Sequence, residues 1–282
     1  MSLSFRSQLR AVLAPGGVIL VRTRGLLRTE VADAEVFPVE GADKVAEGAK
    51  PWEAALATLR TALQRFARRG EALTVVLSNH YSHYILLPAL PSLSSGEEDD
   101  AYARHTFREV YGEAAAGWTV RVSGDSPAQP RVAGAIEDSL LDALQRAARD
   151  AGVRLESVQP FLMTAYNAFF RELSRRTAWF ALYEPGRVCI SLCSRNGLHS
   201  VRGCPAGETW RTELPLLLDR EARLQELEGD AVPSEAFVFH PGQALPAQAR
   251  GLGEGLTPLL LGEIALPATA RAQDLAMALV GI

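Results

Sequence analysis

The stretch AWFALYEPGRVCISLCSRNGLHSVRG, residues 178–203, holds three short β-like runs, AWFALYE, RVCISLCS and GLHSVRG. The tight turns EPGR and SRNG join them. Apolar and β-branched runs bounded by Gly, Pro and Asn read as strands. The pattern decides the fold because the same order opens the chain. There, β-like runs at Val18–Val21, Leu26–Val31 and Glu35–Val39 precede PWEAALATLRTALQRFARRG, in which Trp52, Leu56, Leu59, Leu63 and Phe66 recur at helical spacing. Pro51 suits that helix's first turn and Gly70 its end.

After the opening helix come LTVVLS as a buried strand, SLLDALQRAARDAG as an amphipathic helix, VRLESVQ as a strand and FLMTAYNAFFRELSRR as a helix. After 178–203 the order repeats. A helix is expected from about Glu208 to Glu228, with Pro215 tolerated as a kink or late first turn. A strand EAFVF, a short helix ALPAQARGL, a strand TPLLLGEIAL and a closing helix ATARAQDLAMALVG follow. Each half thus reads β-β-β-α-β-α-β-α, a repeat of element order rather than of residues. Two α/β domains are expected, 1–174 and 175–282.

The first half carries an insertion, about 79–135. It contains YILLPAL, an acidic helix SSGEEDDAYARHTFREVYG, then WTVRVS and RVAGAI. Ser94 or Ser95 can cap that helix, and Glu97 to Asp100 suit the positive end of its dipole. This small α/β layer is expected to sit on the first half.

Composition sets outer bounds. The 282 residues are 48% apolar with a net charge of −4, so no global positive field recruits nucleic acid. Three cysteines are odd in number and too few for a disulfide framework. The opening segment lacks a secretory pattern because Pro15, Gly16 and Gly17 break its apolar stretch. No apolar run is long enough to span a bilayer. The expectation is a cytoplasmic protein without direct membrane insertion.

Two clusters invite chemical readings. His80, Tyr81, His83 and Tyr84 crowd five positions, but on a strand His80 and His83 point to opposite faces. An aromatic turn between strands explains them without a metal. Cys189, Cys193, His199 and Cys204 offer zinc-ligand types. On one strand, however, the first two thiols lie roughly 13 Å apart, beyond one tetrahedral ion. No metal site is expected. No nucleophile elbow, metalloprotease or phosphate-loop motif is present.

The segments VLSNHYSHYILLPAL, EEDDAYARHTFREVYGEAAAGWTVRVS, GVRLESVQPFLMTAYNAFF and AMALVGI resemble the actin-like type IV pilus assembly protein PilM and the cytoplasmic domain of the type II secretion L protein (GspL). The resemblance runs from about Val18 to the end. It implies an actin-like, ribonuclease H-like duplicated fold. Nucleotide-binding members of that superfamily carry Asp-x-Gly at the first β-turn-β of each half. Read that way, the first turn LVRTRGLL offers Gly25 with Arg22 and Arg24 where an acid belongs, and the second offers Glu184 and Gly186. The glycine pair that supports adenosine is reduced to Gly242. The resemblance with these departures implies a scaffold that is not an enzyme and needs no cofactor. Its alternative is an ATPase using ATP and magnesium, with Glu184, Glu208 or Asp138 as positioning acid. A sugar or acetate kinase relative ranks below, for want of a phosphate loop. In the pilus relatives a cytoplasmic peptide of an inner-membrane protein docks near the insertion. Carried over, this makes Tyr81, Tyr84, Arg104, Phe107 and Arg108 groove-wall candidates and recruits the chain to the inner membrane. Homo-oligomerisation stays open.

Overall fold

The computed structural model describes residues 8–25, 29–41, 48–90, 96–124, 128–241, 255–261, 266–267 and 271–282. In chain order the elements begin with strands β1 (Gln8–Ala14), β2 (Gly17–Arg24) and β3 (Glu30–Pro38), helix α1 (Glu53–Phe66) and strand β4 (Ala72–Leu77). The insertion supplies β5 (His83–Leu87), α2 (Gly96–Tyr111), β6 (Trp118–Val122) and β7 (Arg131–Glu137). Then come α3 (Asp138–Asp150), β8 (Arg154–Pro160), α4 (Phe161–Ala168) and α5 (Phe170–Leu173). The rest comprises β9 (Ala178–Glu184), β10 (Gly186–Ser194), β11 (Gly197–Leu198), β12 (Arg202–Ala206), α6 (Trp210–Leu224), β13 (Ala236–Phe239), β14 (Leu256–Pro258) and α7 (Ala272–Leu279). The expected helix ALPAQARGL lies outside the described residues, as do Ser94, Ser95 and Gly242.

Contacts divide the chain into two compact units. The first is Met1–Tyr81, Asp138–Thr164 and Leu261–Ile282; the second is Ser82–Glu137 and Ala165–Leu260. The insertion therefore groups with the second unit and not, as sequence order suggests, with the first. The closing helix groups with the first. The 1–174 and 175–282 division follows element order along the chain, whereas these units follow packing.

In the first unit the sheet order is β3-β2-β1-β4-β8, with β3, β1, β4 and β8 running in one direction and β2 antiparallel to its two neighbours. The central strand β1 is absent from the sequence reading. QLRAVLA is rich in helix formers, and a strand covered on both faces shows no alternation. The runs read as separate strands at 26–31 and 35–39 fall around one strand, β3. Helix α1 buries Ala55, Leu56, Leu59, Ala62 and Leu63 against β1–β3 and α3, as its spacing dictates. Helix α7 packs on β1–β3. Arg10 pairs in register with Val21, so the next residue, Arg22, faces the opposite side of the sheet.

Arg22 is 3% exposed and closes a knot beneath α1. Its Nε donates to Glu71 Oε1 at 2.6 Å, Nη1 to Asp33 at 2.9 Å and Nη2 to the Phe66 carbonyl at 2.5 Å. Glu71 Oε2 accepts the Arg68 amide. The guanidinium also lies 4.6 Å from the Phe66 ring centroid. Helix α3 ends in a Schellman motif: Val153 N–H donates to Ala148 and Gly152 N–H to Arg149, with Gly152 at φ +69°.

The second unit holds two sheets. In the inserted layer the order is β5-β7-β6, antiparallel throughout, with α2 packing Ala103 and Phe107 onto Ile85, Leu87, Val120, Ala133 and Ala135. The acids at the start of α2 do more than complement its dipole. Asp99 accepts Arg131 Nη1 and Nη2 at 2.5 and 2.6 Å, clamping the helix start to β7. The larger sheet runs β11-β10-β9-β13-β14, with β12 pairing β10. β9, β13 and β14 are parallel and β10 is antiparallel to β9, so the central order of the first sheet recurs. The expected helix FLMTAYNAFFRELSRR breaks at Phe169 into α4 and α5. α6 keeps Pro215 inside and ends in a second Schellman motif, with Leu227 N–H on Ala222 and Glu226 N–H on Arg223. There the left-handed position is Glu226, φ +54°.

Candidate functional site

Open α/β sheets place ligands outside the carboxyl ends of their parallel strands. In each sheet that end carries the turn from the central strand to its antiparallel neighbour. In the first unit Ala14 pairs with Gly17 across Pro15-Gly16. In the second, Glu184 pairs with Arg187 across Pro185-Gly186. Each turn is therefore a two-residue Pro-Gly, a residue-level echo that element order alone does not reveal. The first β-turn-β is LAPGGV, one hairpin earlier than the LVRTRGLL segment read from sequence, because β1 precedes it. Gly25 lies past the end of β2, at φ +127°. Arg22 and Arg24 do not occupy an acid's place: Arg22 is the buried knot, and Arg24 sits 3.6 Å from Glu30 Oε2 at the strand end.

The second hairpin does hold a carboxylate. Glu184 is 2% exposed at the end of β9, and Gly186 takes φ +84° in the turn. On the other face of that strand end lies an aromatic group. Phe239 pairs with Leu182 in parallel register, bringing the strand ends Tyr183 and His240 together, with ring centroids 4.8 Å apart. Trp210, at the start of α6, stacks on Tyr183 at 4.5 Å and lies 5.6 Å from His240, while Arg211 lies 5.0 Å from the indole. Burial, then the charge of Arg211, pulls the His240 pKa down to about 4, so its imidazole is neutral near pH 7. Its Nδ1 is buried without a hydrogen-bond partner among the described residues. Tyr183, Trp210, Arg211 and His240 form an aromatic cluster with one cation, on the face of β9 opposite the Glu184 side chain. Trp210 is a buried core residue, and only the parallel pairing of β9 with β13 identifies its neighbours.

The histidine and tyrosine cluster runs from the turn after β4 into β5. His80 N–H donates to Ser78 Oγ and Tyr81 N–H to the Ser78 carbonyl. Tyr81 is 4% exposed and ends the first unit, while Tyr84 is half-buried on β5 in the second, over Gly134. Phe107 is fully buried in the inserted layer's core. Neither Tyr81 nor Phe107 can form a contact wall, since burial leaves no face to offer. Arg104 and Arg108, one helical turn apart on α2, are exposed. His83 stacks on Trp118 at 4.0 Å; burial and then Arg187 lower its pKa, against Glu137.

Cys189 and Cys193 are buried on β10, where burial pushes both thiols up, and Cys204 is half-buried on β12. Among the described residues no group of three metal-ligating side chains comes together. Among them, too, no helix is long and apolar enough to cross a membrane.

No family model and no curated protein sequence matches the chain. Solved structures do. The chain is similar to a PilM–PilN type IV pilus biogenesis complex, with TM-score 0.64 and 13% identity over 97% of this chain and 96% of that one. It is similar to the cytoplasmic domain of EpsL, an inner membrane component of the type II secretion system of Vibrio cholerae, with TM-score 0.55 and 10% identity over 96% and 94%. A Bacteroides thetaiotaomicron protein with actin-like ATPase fold and unknown function matches at TM-score 0.53 and 11% identity over 85% and 84%. The duplicated sheet order and these likenesses together give the chain the actin-like fold shared by PilM-like and EpsL-like proteins.

Proposed function

We propose that the protein is a cytoplasmic, non-catalytic adaptor of a type IV pilus or related secretion machine, holding a cytoplasmic peptide of an inner-membrane partner. The observation that carries the non-catalytic part is the first hairpin. Ala14-Pro15-Gly16-Gly17 presents no carboxylate where nucleotide-hydrolysing relatives need one to order metal and water. The adaptor part rests on likeness to a solved pilus complex of two proteins and to the cytoplasmic domain of an inner-membrane component. Within the proposed docking region Arg104 and Arg108 offer accessible surface on α2, Tyr84 lies on the opposite face of the inserted sheet, and Tyr81 and Phe107 are buried. We keep 1–174 and 175–282 as the two actin-like repeats.

The test is calorimetric titration with a synthetic peptide from the cytoplasmic segment of the organism's PilN-like or equivalent inner-membrane protein. Micromolar binding that weakens at least tenfold in an Arg104→Glu, Arg108→Glu double variant supports the reading. Binding unchanged by that variant removes these residues from the groove, and no binding removes the adaptor.

A second reading, a nucleotide-binding actin-like ATPase, is favoured by one observation: the buried acid Glu184 at the Gly186 turn. Gly25 lies outside that geometry, and Gly242 outside the described residues. Titration with ATP and magnesium decides. Micromolar affinity abolished by Glu184→Gln establishes it, and a flat trace at millimolar ATP ends it.

A further inference from the structure

A cavity of about 450 Å³ opens at the amino end of β1 in the first unit, at the opposite end of that strand from the Pro15-Gly16 turn. Its polar lining is Gln8, Arg10, Thr23, Arg24, Thr29 and Thr74, with Gly25 and Ile282 at the boundary. Four of these belong to one patch of pleat. Gln8 pairs with Thr23 and Arg10 with Thr74, so their side chains share a face.

Arg10 is the unexplained group. Its Nη2 donates to the Val280 carbonyl at 2.8 Å, which caps the carboxyl end of α7. That accounts for one nitrogen. Its Nε is buried and has no hydrogen-bond partner among the described residues. Burial alone, with no carboxylate beside it, lowers its pKa to about 10. A guanidinium withdrawn from water without a counter-charge is costly, and helix capping alone needs no such fork. Arg24 faces the Arg22 side of β2 and holds Glu30 at 3.6 Å, so Arg10 is the cation of the shared face. The lining is thus rich in donors and holds no carboxylate side chain. Guanidinium forks with hydroxyls are the complement of a multi-oxygen anion. The volume lies in the range of small-molecule sites and exceeds what a bare oxyanion fills.

We propose that this cavity binds a phosphorylated small molecule, its phosphoryl oxygens received by Arg10 and the hydroxyls of Thr23 and Thr74. The site is independent of partner docking and lies away from the strand ends where a nucleotide would sit. The phosphoryl group is common to a free phosphomonoester and a lipid headgroup, so both sources are tested on the full chain. Glycerol phosphate and pyrophosphate serve as soluble probes in calorimetry and thermal shift, against sodium chloride at equal ionic strength. Vesicles of phosphatidylcholine with and without phosphatidylglycerol serve in co-sedimentation.

The expected result is a melting-temperature rise of about 3 °C or more with a soluble probe at millimolar concentration, absent with chloride. Thr74→Val and Thr23→Val, which leave the Arg10 cap on α7 intact, each weaken binding about tenfold, a loss typical of one hydrogen bond to a charged group. Binding only to phosphatidylglycerol vesicles, with the same sensitivity to both variants, assigns the headgroup as source. The proposal is overturned by no binding to any of these probes, or by binding that both variants leave unchanged.

Discussion

In the first unit the sheet closes around a guanidinium, Arg22, gripped by Glu71 and Asp33. In the second the corresponding order of strands closes around Trp179, Phe180 and the thiols of Cys189 and Cys193. Both central strands turn back through Pro-Gly, yet only the second turn brings an acid and needs a left-handed glycine. Both units end a helix in a Schellman motif, but one uses Gly152 and the other Glu226. Topology was kept while interior chemistry diverged. The difference teaches that backbone geometry, more than side-chain identity, carries the duplication.

The largest test of that contrast is the knot. Arg22→Ala strands the buried Glu71 charge and should cost about 3–5 kcal/mol, read by urea denaturation. Arg22→Met with Glu71→Leu should recover most of it, because an apolar pair packs as the second sheet already does. If the double variant is no better than the single, the ion pair is not interchangeable with an apolar interior.

Next come the hairpins. Gly186→Ala forces a side chain onto φ +84° and should destabilise by about 1–2 kcal/mol. Gly16→Ala meets nothing within 4 Å and has no positive φ, so it should be neutral or stabilise by about 0.5 kcal/mol. Equal losses at the two sites would break the comparison.

The Schellman pair gives the third. Glu226→Gly relieves the left-handed residue and should raise stability by about 1 kcal/mol, whereas Gly152→Ala should lower it by a similar amount.

The smallest effect is in pH. His240 has a folded pKa of about 4 against 6.5 free, so between those values the unfolded chain binds more protons. Stability should be flat above 6.5 and fall as pH drops from there toward 4. Half exposure keeps the slope shallow. In His240→Gln, melting temperature against pH should lose part of that acid slope; an unchanged profile would move the titration elsewhere, His83 being the next group lowered by burial.

Much of this fold is legible in the sequence. The 3.6-residue spacing in α1 and α3, the alternation before tight turns and the acidic start of α2 each state a local cause that packing does not overrule. β1 is not legible, because its polar side chains, Gln8 and Arg10, stop halfway and Ala11–Ala14 show no alternation, and missing it shifted the first hairpin onto Gly25. Nor are the pairs of the candidate sites legible. Tyr183 meets His240, and Arg10 meets Val280, only through strand register and long-range closure. Phe107 misleads for a simpler reason: an aromatic beside two arginines on a helix is equally a surface anchor or a core residue until the sheet beneath is known.

The bond from Arg10 to Val280 spans 270 residues. During synthesis the ribosome delivers β1 early and α7 last, so one face of the first sheet waits uncovered while the second unit's chain emerges. Such non-local closure folds slowly. The nascent chain is thus most open to chaperones or self-association along β1–β3 until α7 emerges.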